Sequence, residues 1–185
     1  MENEVSYFQQ LNRGLQQLDR ALPYTIIDLD RLDQNIDLLK GQLAGNTEIR
    51  LVAKSLPSQA LLAYLMEQLD TRRLMVFHQP FLLQLVKETA EPLDILLGKP
   101  MPVTSAQHFY QNANGDLHRI QWLIDTPERL AQYLQLAQIL GKKLYVNLEI
   151  DVGLHRGGFR REDDLAKALA LIRAHPQALE WSGFM

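Results

Sequence analysis

The sequence predicts an α/β fold, a parallel sheet closing toward a (β/α)8 TIM-type barrel, incomplete here with about six of the eight barrel strands. Three observations carry this. Short apolar runs of strand type alternate with amphipathic helical stretches, the pattern of a parallel sheet covered by helices. Charged or polar residues stand at successive strand ends, as on the catalytic rim of a barrel. The turns Asp28-Leu29-Asp30 and Lys54-Ser55-Leu56-Pro57 lack the glycines that an open, doubly wound sheet places after its first strand.

The elements follow in order. Val5, Phe8, Leu11, Leu15 and Leu18 recur at helical spacing, so residues 4–18 read as an amphipathic helix and 1–22 as an N-terminal arm. Residues 23–185 read as the partial barrel. After Pro23, residues 24–29 are rich in β-branched side chains and predict a strand, with Asp30 able to cap the next helix. That helix carries Leu32, Ile36, Leu39 and Leu43 on one face, and Gly41 and Gly45 supply its breakers. Six further strands are predicted over 49–53, 74–77, 93–97, 120–124, 144–150 and 179–185. Their rim residues are Lys54, His78, Lys99, Asp125 and Asp151. Helices are predicted over 57–69, 80–90, 127–140 and 162–174, and the least regular stretch, 100–117, reads as one short helix followed by a loop. Thr126-Pro127 starts its helix as cap and first residue, and Gly141 stops it.

A barrel of this kind needs eight strands and typically about 250 residues. The sequence ends inside Trp181-Ser182-Gly183-Phe184-Met185 with no helix to follow, so a truncated barrel is expected. With 46% hydrophobic residues, 22% charged and a net charge of -3, the chain reads as a soluble globular protein. No basic face marks it for nucleic acid. No cysteine is present to form a disulfide or a thiolate metal site. The polar, acidic start is unlike a secretory signal, and no apolar run approaches the ~20 residues of a membrane span, so a cytoplasmic location is expected.

Two stretches carry chemistry. In Val52-Ala53-Lys54-Ser55-Leu56-Pro57-Ser58 an apolar strand delivers one lysine to its end. Lys54 either loses enough hydration there to act as a nucleophile, suited to a Schiff base, or snorkels at a strand end as surface lysines do. The second stretch, 144–158, is a strand running into a glycine-spaced turn that holds Glu149, Asp151, His155 and Arg156. Glycines 153, 157 and 158 permit left-handed backbone angles, and Arg156 presents a rigid fork to a carboxylate, phenolate or phosphate, with Asp151 placed to orient it. The competing reading is an ordinary strand-to-helix loop with an internal Asp–Arg pair. His155 is either an acid-base group or a solvated turn residue. His78 either faces the barrel mouth or packs, and Asp125 reads as a helix-start carboxylate.

The phrases Val-Ala-Lys-Ser-Leu-Pro-Ser (52–58) and Ile-Asp-Val-Gly-Leu-His-Arg-Gly-Gly (150–158) together resemble the pyridoxal-phosphate enzymes with an alanine-racemase-type (fold type III) barrel, closest to the D-threonine aldolase and D-serine dehydratase branch. Ile-Ile-Asp-Leu-Asp (26–30), Asp-Ile-Leu-Leu-Gly (94–98), Leu-Ile-Asp-Thr-Pro-Glu-Arg-Leu (123–130) and Trp-Ser-Gly-Phe-Met (181–185) follow in family order. The resemblance implies that Lys54 forms the Schiff base with pyridoxal 5'-phosphate and moves the substrate α-proton. It implies that Arg156 reaches the coenzyme's phenolic oxygen, that Ser58 stands near its phosphate, and that His155 belongs to the binding set. It further implies a small amino-acid substrate, a homodimer, and a β-rich C-terminal domain absent from this chain. The pyridine-nitrogen partner and any divalent-metal ligands of the branch would lie beyond Met185, and no metal residues are assigned within the chain.

The expected function is thus a lyase acting on D-amino acids. An amino-acid racemase and a non-catalytic coenzyme carrier are the alternatives within the resemblance. A coenzyme-free lysine aldolase and a structural remnant that associates through its exposed sheet edge stand outside it.

Overall fold

The computed structural model describes residues 4–18, 23–55, 58–113 and 118–185. By internal packing the chain divides into two units, Met1–Gln42 and Leu43–Met185.

The first unit holds two helices, α1 (Glu4–Gln16) and α2 (Leu29–Gln42). Asp28 opens α2: its Oδ1 accepts the Arg31 backbone N–H at 3.0 Å, and the Tyr7 hydroxyl donates to its Oδ2 at 2.8 Å. These bonds favour the charged form, the Arg31 amide most of all, and hold the carboxyl below its ordinary range. Here the structure corrects two expectations. The cap is Asp28 and not Asp30, and residues 23–28 form no strand. Tyr24, Ile26 and Ile27 are exposed, and without a ladder neighbour β-branched composition alone does not make a strand.

The second unit is a six-stranded parallel sheet with its strands in chain order: β1 (Leu51–Val52), β2 (Arg73–Val76), β3 (Asp94–Leu97), β4 (Arg119–Ile124), β5 (Leu144–Leu148) and β6 (Leu179–Phe184). A doubly wound sheet reverses its strand order at a switch point, whereas this order advances one strand at a time, as in an arc of a barrel. Every ladder is parallel, with Leu74 opposite Ile95 and Ile95 opposite Ile120, so one register carries through the middle strands.

Helices α3 (Gln59–Gln68), α4 (Gln79–Glu88), α5 (Val103–Asn112), α6 (Pro127–Leu140) and α7 (Glu162–Ala174) fill the crossovers. Ser58, His78 and Thr126 cap α3, α4 and α6 by accepting backbone N–H groups of Leu61, Phe81 and Arg129. Gly141 ends α6 at φ 61°, in the left-handed region a side chain disfavours. Pro57, the expected start of α3, and residues 114–117 of the expected loop lie outside the described residues.

The sheet has two faces of different character. Leu74, Val76, Ile95, Leu97, Ile120, Trp122, Ile124, Val146 and Leu148 pack with helix residues such as Leu82, Phe109, Leu130 and Ile172 into one core. Trp122 sits in an aromatic cluster, its ring centroid 5.9 Å from Phe109 and 5.6 Å from Tyr133, and its Nε1 donates to the Tyr110 hydroxyl at 3.0 Å. The alternate positions mix apolar residues, among them Met75, Leu96 and Leu123, with a group of polar ones. Arg50 pairs with Asp94 at 2.9 Å, Gln121 donates to Asp94, and Asn147 donates to Gln121 at 2.6 Å. This chain of partners satisfies polar groups that the sheet would otherwise bury at a cost. Among the described residues no helix is long and apolar enough to cross a membrane.

Candidate active site at the carboxyl ends of the strands

A cavity of about 570 Å³ opens at the carboxyl ends of the strands, within the 300–1,000 Å³ range typical of small-molecule sites. Each strand supplies a residue at or just past its end. Lys54 follows β1, Phe77 follows β2, Gly98 to Pro100 follow β3, Asp125 follows β4, Glu149, Arg156 and Gly157 follow β5, and Met185 follows β6. Arg129 joins them from the first turns of α6. Four cations therefore face two carboxylates.

Of the expected rim residues, Lys54, Lys99 and Asp125 meet in this cavity, and His78 and Asp151 do not line it. His78 is turned to α4, where its Nδ1 accepts the Phe81 N–H at 3.2 Å. Lys54 is exposed, with its ammonium 4.9 Å from the centre of the Phe77 ring. Desolvation does not single out this lysine; its place at the cavity, with no ion-pair partner among the described residues, does. Lys99 likewise has no ion-pair partner there.

Asp125 is one end of a small truss. Arg129 Nε donates to its Oδ1 at 2.7 Å, while Arg129 Nη1 reaches the Met101 carbonyl at 2.6 Å, which also accepts the buried Tyr133 hydroxyl at 3.2 Å. The truss fixes the turn that carries Lys99 and Pro100. Burial raises the Tyr133 pKa far above the phenol range, so its O–H stays a donor.

The turn after β5 is built on Asp151, whose side chain is 2% exposed. Its Oδ1 accepts the backbone N–H groups of Gly153 and His155, and its Oδ2 meets His155 Nδ1 at 2.9 Å and Arg160 Nε at 2.8 Å. The His155 side-chain bond and then its backbone N–H hold the Asp151 carboxyl well below the usual carboxylate range. The expected Asp151–Arg156 pair is therefore replaced by Asp151–Arg160, which leaves Arg156 free to face the cavity. His155, exposed and at φ 53°, belongs to the turn and does not line the cavity. Ser58 does not line it either, its Oγ being committed to the α3 cap. Gly153 and Gly158 have positive φ, as expected, and Gly157 does not.

Phe77, Gly98, Arg129 and Glu149 are the residues that sequence reasoning left without a role here. Arg129 was findable as the i+4 partner of Asp125 on a helix. Glu149 was not, because its distinction is environmental. Its Oε2 is buried and, among the described residues, is the one such side-chain atom with no hydrogen-bond partner. Burial raises its pKa, Asp125 and Asp151 raise it further, and Arg156 opposes them. Among the described residues no group of three or more His, Cys, Asp or Glu side chains stands ready for a metal.

A family model described as alanine racemase, N-terminal domain, matches residues 27–185. No curated protein sequence matches the chain. Among solved structures, an alanine racemase from Clostridium difficile 630 superposes with a TM-score of 0.72 at 22% identity, over 88% of this chain and 45% of that one. A D-threonine aldolase from Filomicrobium marinum gives 0.66 at 20% identity, over 86% and 42%. A variant of D-threo-3-hydroxyaspartate dehydratase gives 0.64 at 16% identity, over 96% and 46%. At these identities the likeness is one of fold, and this chain spans less than half the length of each of the three.

Proposed function

The chain belongs to the alanine racemase N-terminal domain family, whose enzymes use pyridoxal phosphate, and on that footing we propose that it is the coenzyme-binding barrel portion of an enzyme acting at the α-carbon of D-amino acids. We assign it to the lyase type, by aldol cleavage or dehydration.

The supporting observation is the meeting of Lys54 and Arg156, about a hundred residues apart in the chain, at one cation-rich cavity. The residues present fit the coenzyme. The cavity is large enough, its excess of cations suits a phosphorylated phenol, and Gly98 leaves room for the flat ring of Phe77 beside Lys54. When bound, the coenzyme supplies an electron sink for the charge left at the α-carbon.

The chain's own residues do the rest. Lys54 holds the coenzyme through Nζ and moves the proton at the substrate α-carbon. Arg156 donates from its planar fork to an anionic oxygen of the coenzyme. Lys99 adds positive charge at the cavity wall, and the Arg129–Asp125 pair keeps that wall in place. Ser58 and His155 serve as positioning residues, the first by starting α3 and the second by closing the turn on Asp151. The same Lys54 would serve a racemase, a reading favoured by the superposition on alanine racemase.

The test is incubation with pyridoxal 5'-phosphate, borohydride reduction and peptide mapping, then assay of the whole protein with D-threonine, D-serine and D-alanine. A single adduct on Lys54, with aldehyde or 2-oxo acid as product, is expected. An adduct elsewhere, or one that persists in Lys54→Ala, removes Lys54 from the mechanism. Appearance of the L-amino acid alone replaces lyase by racemase.

A further inference from the structure

We propose that Glu149 is a ligand-binding carboxyl of this cavity that takes up a proton when an anionic pyridine-type phosphate ester binds, its Oε2 then donating a hydrogen bond to the ligand. The proposal rests on reading the cavity as the coenzyme site.

The geometry begins with an oxygen that has nothing to bind. Glu149 Oε2 is buried without a partner among the described residues, while the part-buried Asp94 and the buried Gln121 and Asn147 of the same face are linked to one another. It lies against the turn that carries Arg156, so close that a Cβ placed on Gly157 would stand 3.2 Å from it. A side chain at residue 157 would crowd this oxygen, and Glu149 itself lines the cavity.

Charge then decides which form the carboxyl takes. Asp125 faces Glu149 from the end of β4 and Asp151 from its own turn, and both disfavour its ionisation. Neither donates to Oε2, because carboxylate oxygens accept hydrogen bonds, here from Arg129 and Arg160. Lys54, Lys99 and Arg129 line the same cavity, and Arg156 is the cation that favours the carboxylate. A bound anion draws on Arg156 and brings negative charge of its own, so the compensation that keeps Glu149 ionised is removed by the ligand itself. A buried carboxylate without donors or counter-charge protonates. The protonated group then offers the O–H that an anionic oxygen accepts.

The experiment is titration calorimetry of the whole protein with pyridoxine 5'-phosphate, which keeps the phenol and phosphate but cannot bond to Lys54. It is run near pH 8 in two buffers of different ionisation enthalpy, for wild type, E149Q and E149M. Wild type is expected to take up roughly half to one proton more than either variant. E149Q, neutral and still a donor, is expected to bind about fivefold or more tightly than E149M, which has no donor. Equal proton uptake in wild type and either folded variant overturns the proposal and leaves the coenzyme reading standing. Absence of binding to wild type overturns both.

Discussion

The Lys54 ammonium lies 4.9 Å from the centre of the Phe77 ring, and that ring occupies its place because residue 98 has no side chain. A Cβ at position 98 would stand 2.6 Å from two carbons of Phe77 and 2.8 Å from the sulfur of Met75. Gly98→Ala is therefore expected to push the ring out of its place beside Lys54, at an overpacking cost of about 1–3 kcal/mol. The check is urea unfolding beside the yield of the borohydride-stable adduct: both should fall, and an unchanged adduct yield would detach Phe77 from the lysine's environment.

Arg156→Lys keeps the charge and loses the planar fork. Coenzyme affinity is expected to weaken by about tenfold, with unfolding midpoints unchanged, because the side chain makes no ion pair among the described residues. Spectroscopic titration with pyridoxal 5'-phosphate checks this, and equal affinity would place Arg156 outside the binding set.

The turn after β5 should be intolerant at one glycine in particular. Gly158 has φ 95°, and a Cβ there would come within 2.8 Å of the Asp151 amide nitrogen and 2.9 Å of the Glu149 carbonyl, both rigid backbone. Gly158→Ala is expected to cost about 1–3 kcal/mol in backbone strain alone. Gly45→Ala, where nothing lies within 4 Å, is the control that should leave stability nearly unchanged.

Asp151 gives the pH dependence its sign. Its carboxyl is held below the unfolded value of 3.8, so the unfolded chain binds the proton first as pH falls. The stability it contributes is present above about pH 4 and is lost as pH drops through that value toward the folded pKa. In Asp151→Asn the stability deficit against wild type should be present at about pH 5 and should shrink below about pH 4. A deficit that persists unchanged into acid would mean that the carboxylate's charge is irrelevant to the turn.

Much of the fold was legible because its determinants are local. The six strands and five crossover helices appear within a few residues of where hydrophobic periodicity puts them. Thr126, Pro127 and Gly141 bound α6 as their backbone preferences require. The stretch 24–29 failed because strand formation depends on a neighbour, which no window of sequence contains. Lys54 and Arg156 were readable as candidates, and Lys99 and Asp125 as rim positions, from strand-end position or residue type.

What tertiary structure alone decided is which of them meet. Asp151 and Glu149 are two residues apart and look interchangeable on paper. Asp151 is consumed by two amides, a histidine and Arg160, whereas Glu149 is left with an unpartnered oxygen at the cavity. His78 had a rim position but spends its ring nitrogen on a helix end. By itself the sequence determined the alternation of elements and the lysine at the end of β1, because periodicity and capping act over a few residues. The partners of each charged group depend on crossovers that bring distant strand ends within hydrogen-bond reach, and that is a property of the folded chain.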